Sequence, residues 1–116
     1  SFQRLTASEI INAKNLIKMK DALPYVEQAS GIPAKTFATL SRTEQLNLLG
    51  QSLKGAQMGD AEIIGNAIKV LKPEASFIRN LVKYGVSTLI IENLVRKVFG
   101  DKASSAVATM AGMINP

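Results

Sequence analysis

The sequence predicts an all-α fold, a single compact bundle of about eight mostly short helices in one domain spanning residues 1–116. Three observations carry that expectation. Apolar residues recur at helical spacing along most of the chain. Caps of the Ser, Thr and Asp type and glycine terminators cut that periodicity into short segments. Hydrophobic residues make up 47% of the chain but aromatics only 5%, so the core must come from Leu, Ile, Val, Ala and Met. Such a core suits packed helices better than a β-sandwich, where Tyr, Phe, Trp and Thr are enriched.

The first helix is expected over Ala7–Lys20, with Thr6 and Glu9 as a capping box and Ile10, Ala13, Ile17 and Lys20 at helical spacing, Leu16 alongside. Asp21 is positioned to cap a second helix through Ala29, with Pro24 in its first turn, where a missing N–H costs little, and Gly31 as its breaker. Pro33 then opens a third helix through Leu40. Ser41 and Glu44 form another capping box for a fourth helix to Lys54, carrying Leu46, Leu49 and Leu53 on one face and ended by Gly55.

After a loop at 56–59, Asp60 is expected to cap a fifth helix with the stripe Ile63, Ile64, Ala67, Ile68 and Leu71. Pro73 stops it and serves as the first residue of a sixth, which ends at Tyr84. Ser87 caps a seventh, Thr88–Phe99, apolar over most of its circumference. Asp101 caps the last, Lys102–Ile114, which is rich in Ala, Ser and Gly.

The chain has no Cys and no His. That removes disulfides, thiolate metal sites and the commonest general base and zinc ligand. No phosphate-binding glycine loop, Ser-x-x-Lys or Gly-x-Ser-x-Gly is present. Asp60 and Glu62 read as a cap and a dipole-complementing acid rather than as a catalytic pair. The expected molecule is therefore not an enzyme, and it takes no cofactor, metal or small-molecule substrate.

Residues 1–9 lack the basic-then-apolar pattern of a secretory signal, and the absence of cysteine fits a reducing compartment; the expected location is the cytoplasm. Charges at Glu92, Arg96, Lys97, Asp101 and Lys102 interrupt the most apolar window, 86–114, so no membrane span is expected.

Net charge is +5, and the isoelectric point is about 9.7. A basic balance favours nucleic acid, an acidic protein or an anionic surface. Against that background, residues 23–40 resemble the sequence pattern of a helix-turn-helix. Gly31 allows positive φ at a turn between two helices. Ile32 anchors the turn, and Val26, Phe37 and Leu40 meet at the crossing.

The resemblance implies a recognition helix at Pro33–Leu40, exposing Ala34, Lys35, Ala38 and Thr39, with DNA contacts from Lys35, Thr36, Thr39 and Arg42. Two features run against it. Glu27 occupies the position, four before the glycine, where the motif uses a small residue, and the same pattern recurs around Gly85 and Val86. A plain helix–glycine–helix corner is the competing reading.

The function expected is a non-catalytic helical binding module that contacts DNA through the segment 22–42. The alternative is a protein-interaction or assembly domain that self-associates or docks through residues 88–114. The expected core is Ile32, Phe37, Ile64, Ile68, Phe77, Leu81, Ile91, Leu94, Val95 and Val98.

Overall fold

The computed structural model describes the backbone of residues 7–100 and the side chains of residues 13–100. Among the described residues the chain is all-helical, with seven helices: α1 Ala7–Met19, α2 Leu23–Ser30, α3 Ala34–Phe37, α4 Arg42–Ser52, α5 Met58–Leu71, α6 Ser76–Lys83 and α7 Thr88–Phe99. The cap at Thr6 and the expected helix Lys102–Ile114, with its cap Asp101, lie outside the described residues.

The helices pair so as to form two layers. In one, α5 lies between α1 and α7; in the other, α4 lies between α2 and α6. The layers meet where α4 packs on α5 and α6 on α7. Each layer lets its helices bury one stripe against the other, the ordinary solution for amphipathic helices.

Two central contacts depend on glycine. A Cβ at Gly50 of α4 would lie 3.0 Å from Leu81 Cδ2 and 3.3 Å from Phe77 Cζ, both on α6. A Cβ at Gly65 of α5 would lie 3.3 Å from Leu94 Cδ1 on α7. Beside that second contact, the Lys97 ammonium pairs with the Glu62 carboxylate and donates to Asn66 Oδ1. This clamp is partly solvated and contributes about 1 kcal/mol or less.

The buried core holds Met19, Val26, Phe37, Leu49, Leu53, Ile64, Ile68 and Leu81, all nearly inaccessible, together with Phe77, Ile91, Leu94 and Val95. Of the expected core residues, only Ile32 and Val98 differ, being half-buried. The fourth helix places Leu46, Leu49 and Leu53 inward as expected, and α5 buries Ile64, Ala67, Ile68 and Leu71, with Ile63 half-buried.

The first helix departs from expectation. Ala13 and Ile17 face outward, Ile17 with 69% exposure, whereas Leu16 and Met19 turn inward. The i, i+3 pair Leu16–Met19 sets the buried stripe, because Met19 leads directly into the buried turn at Ala22. The seventh helix is also less uniformly apolar in use than in composition. Ile90, Ile91, Leu94 and Val95 are buried, while Leu89 is left 61% exposed beside the exposed Glu92, Asn93 and Arg96.

Several helix starts differ by a few residues. Asp21 does not cap α2; Ala22 stands at that position in αR conformation, with no side-chain cap. Pro33 is the N-cap of α3 and not its first residue. Gln57 is the N-cap of α5, which leaves Asp60 inside the first turn, where its charge still complements the helix dipole. Pro73 is a buried loop residue, and α6 starts at Ser76, because Lys72 turns left-handed (φ 48°) and ends α5 sharply.

The serine caps stand as expected. Ser41 Oγ accepts from the Glu44 N–H and donates to Glu44 Oε1, and Ser87 Oγ accepts from the Ile90 N–H.

Candidate nucleic-acid interface

The segment proposed to read DNA is built around Gly31, which has φ 77° and donates its N–H to the Glu27 carbonyl at 2.7 Å. Ser30 Oγ donates to the Val26 carbonyl and accepts from the Ile32 N–H, so the serine closes the turn on both sides. Val26 and Phe37 are fully buried at the crossing, and Ile32 and Leu40 are half-buried. Glu27, where a small residue is usual, points to solvent.

Beyond the turn, the segment departs from a helix-turn-helix. The expected recognition helix is a single turn, Ala34–Phe37, and it gives way to a turn at Ala38–Thr39 before Ser41 starts α4. Two bonds fix this break. Gln45, almost fully buried on α4, donates through Nε2 to the Phe37 carbonyl at 3.0 Å, and Thr39 Oγ1 donates to the Thr36 carbonyl at 2.7 Å. Ala38, expected on the exposed face, is half-buried.

The predicted contact residues divide accordingly. Lys35, Thr36 and Thr39 are exposed on the outer side of α3 and its turn. Arg42 is engaged elsewhere: its Nε donates to the Leu71 carbonyl at 2.9 Å and its Nη2 to the Lys72 carbonyl. Those carbonyls end α5, so the guanidinium satisfies acceptors that the helix leaves without partners and adds a favourable charge at its negative end. The sequence carried no local sign of this role, because Arg42 and Leu71 are 29 residues apart.

The Gly31 corner has two counterparts. Gly55-Ala56-Gln57 and Gly85-Val86-Ser87 repeat Gly31-Ile32-Pro33: a positive-φ glycine (77°, 73° and 84°), an apolar residue turned inward, then an extended N-cap. The Gly85 corner is legible in the sequence. The Gly55 corner, with only Ala at its anchor, emerges from the backbone.

Two open grooves lie on the surface. One, of about 310 Å³, lies between α2 and the Gly55 corner and includes Tyr25, Gln28, Lys54, Gln57 and Asp60 in its lining. Interaction with the Asp60 carboxylate, together with desolvation, holds the Tyr25 phenol above its ordinary pKa. The other groove, of about 230 Å³, lies between α4 and α6 and is lined mainly by Arg42, Thr43, Asn47, Glu74, Ser76 and Asn80. Tyr84 donates to Asn47 Oδ1 nearby. Among the described residues no three His, Cys, Asp or Glu side chains come close enough to hold a metal ion. No described helix is long and apolar enough to cross a membrane.

No protein-family model, curated protein or solved structure matches this chain.

Proposed function

We propose that this chain is a non-catalytic helical binding module, working in the cytoplasm, whose partner is nucleic acid. The observation that supports this most is the state of its cations. Lys14, Lys18, Lys20, Lys35, Lys54, Lys69, Lys72, Arg79, Lys83 and Arg96 are all exposed. Among the described residues, the one ion pair is Lys97–Glu62. Cations held at a surface without acidic partners are available to replace the counterions of a phosphate backbone. The outer side of α3 offers Lys35, Thr36 and Thr39 to such a backbone, as a short contact rather than a helix laid along a groove.

Titration of a mixed-sequence duplex at low salt tests this reading. Binding should weaken steeply as salt rises, and Lys35→Ala should weaken it modestly without changing the melting temperature. No binding at tens of micromolar protein would end the proposal.

A second reading, assembly through residues 88–114, keeps one supporting observation: Leu89 on α7 is a large apolar side chain left mostly in solvent. Sedimentation at several concentrations, with Leu89→Ser alongside, tests it.

A further inference from the structure

We infer that the outward face of α6, joined by Lys54, is where the phosphate backbone is held, and that α3 is at most a side contact; this rests on the nucleic-acid reading above. The inward face of α6 is Phe77, Ile78 and Leu81, all buried. Its outward face carries Arg79, Val82 and Lys83, all exposed. Arg79 and Lys83 are i, i+4 neighbours, about 6 Å apart along the helix axis, and so share one side of it. Among the described residues neither has an acidic partner within ion-pair distance.

Lys54 brings a third cation to the same end of the helix. It follows α4, and its Cε lies 3.9 Å from where a Cβ of Gly85 would stand. Its stem therefore passes over the corner that ends α6, two residues beyond Lys83. The nearest acid in the α6 sequence, Glu74, precedes the helix at its opposite end. Asn80 and Ser76 add polar groups along the adjoining groove.

The α3 tip compares poorly. With Arg42 turned to the carbonyls of α5, Lys35 is the one cation it presents. Electrostatic affinity for a duplex grows with the number of phosphates neutralised, so three cations on a rigid frame outweigh one on a single turn.

The test is fluorescence anisotropy with a labelled mixed-sequence duplex at several salt concentrations, on the wild type, Arg79→Glu/Lys83→Glu, Arg79→Gln/Lys83→Gln, Lys54→Glu and Lys35→Glu. Circular dichroism melts check that each variant folds. The double charge reversal should lose at least about tenfold in affinity at low salt, and the Gln pair should flatten the salt dependence by about two phosphate contacts. Lys54→Glu should lose severalfold and Lys35→Glu less.

Wild-type affinity in both double variants, with the wild type itself binding the duplex, would overturn this surface while leaving the nucleic-acid reading intact. A wild type that ignores the duplex would overturn both. Binding to phosphatidylserine vesicles without binding to the duplex would also overturn both, and would assign the basic face to a membrane.

Discussion

Gly31 and Gly85 share a glycine–apolar pattern and similar positive φ angles, yet they lead into different structures. Each follows an eight-residue helix, turns left-handed, and hands over to an apolar residue and an extended N-cap. After Gly85, Val86 is buried and α7 runs for 12 residues with one broad face in the core. After Gly31, Ile32 is half-buried and α3 lasts four residues before Gln45 and Thr39 tie off its carbonyls. A glycine–apolar pair therefore specifies a corner, and nothing more. What the corner is for depends on how long the next helix runs and whether its second face finds a partner. The Gly55 corner makes the same point, since its successor α5 is the central helix of its layer.

The largest effects should come from the anchors beyond each corner. Leu94→Ala on α7 should cost about 2–5 kcal/mol and Phe37→Ala on α3 about 3–5 kcal/mol, since both side chains are buried. Urea denaturation would read both. Near-equal losses would show that the first corner is as firmly seated as the second, despite its short helix. A loss below about 1 kcal/mol at Phe37 would mean that α3 rides loosely on the fold, and would break the comparison at its base.

These anchors were legible in the sequence because local periodicity reports burial. Phe37, Leu81, Leu94 and Val95 follow from spacing alone, as do the serine caps, whose partners lie three residues away. Ile17 was misplaced because α1 carries apolar residues on two sides, and only packing against α5 decides which side is buried. The recognition helix was overestimated for a similar reason. Nothing local in Lys35–Leu40 forbids helix, and the side chain that helps tie off the turn, Gln45, belongs to the next element. The bonds of Arg42 to the Leu71 and Lys72 carbonyls leave no local sign, because those partners are remote from it in sequence.

Arg42 gives the next effect in size. If its bonds to the Leu71 and Lys72 carbonyls are its main work, Arg42→Ala should lower stability by about 1.5 kcal/mol, the low end for hydrogen bonds from a charged group because the side chain is exposed. Duplex affinity should change less than in Arg79→Gln. The opposite pattern, full stability with strongly reduced binding, would return Arg42 to the nucleic-acid contact and make the two corners differ in function after all.

The smallest effects should come from the glycines themselves, and they test the comparison most directly. A Cβ at Gly31 would meet nothing within 4 Å, and one at Gly85 would meet only Lys54 Cε, at an ordinary contact distance of 3.9 Å. Steric crowding is thus negligible at both sites, which leaves the cost of holding an alanine at positive φ, about 1 kcal/mol. Gly31→Ala and Gly85→Ala should therefore shift the denaturation midpoint by nearly the same amount. Equal shifts would establish one backbone device used twice. A negligible shift at Gly31 alone would mean that this corner relaxes out of the left-handed region. It would then be free to extend α2 towards α3, and the short contact proposed for Lys35, Thr36 and Thr39 would have no fixed frame on which to meet a phosphate.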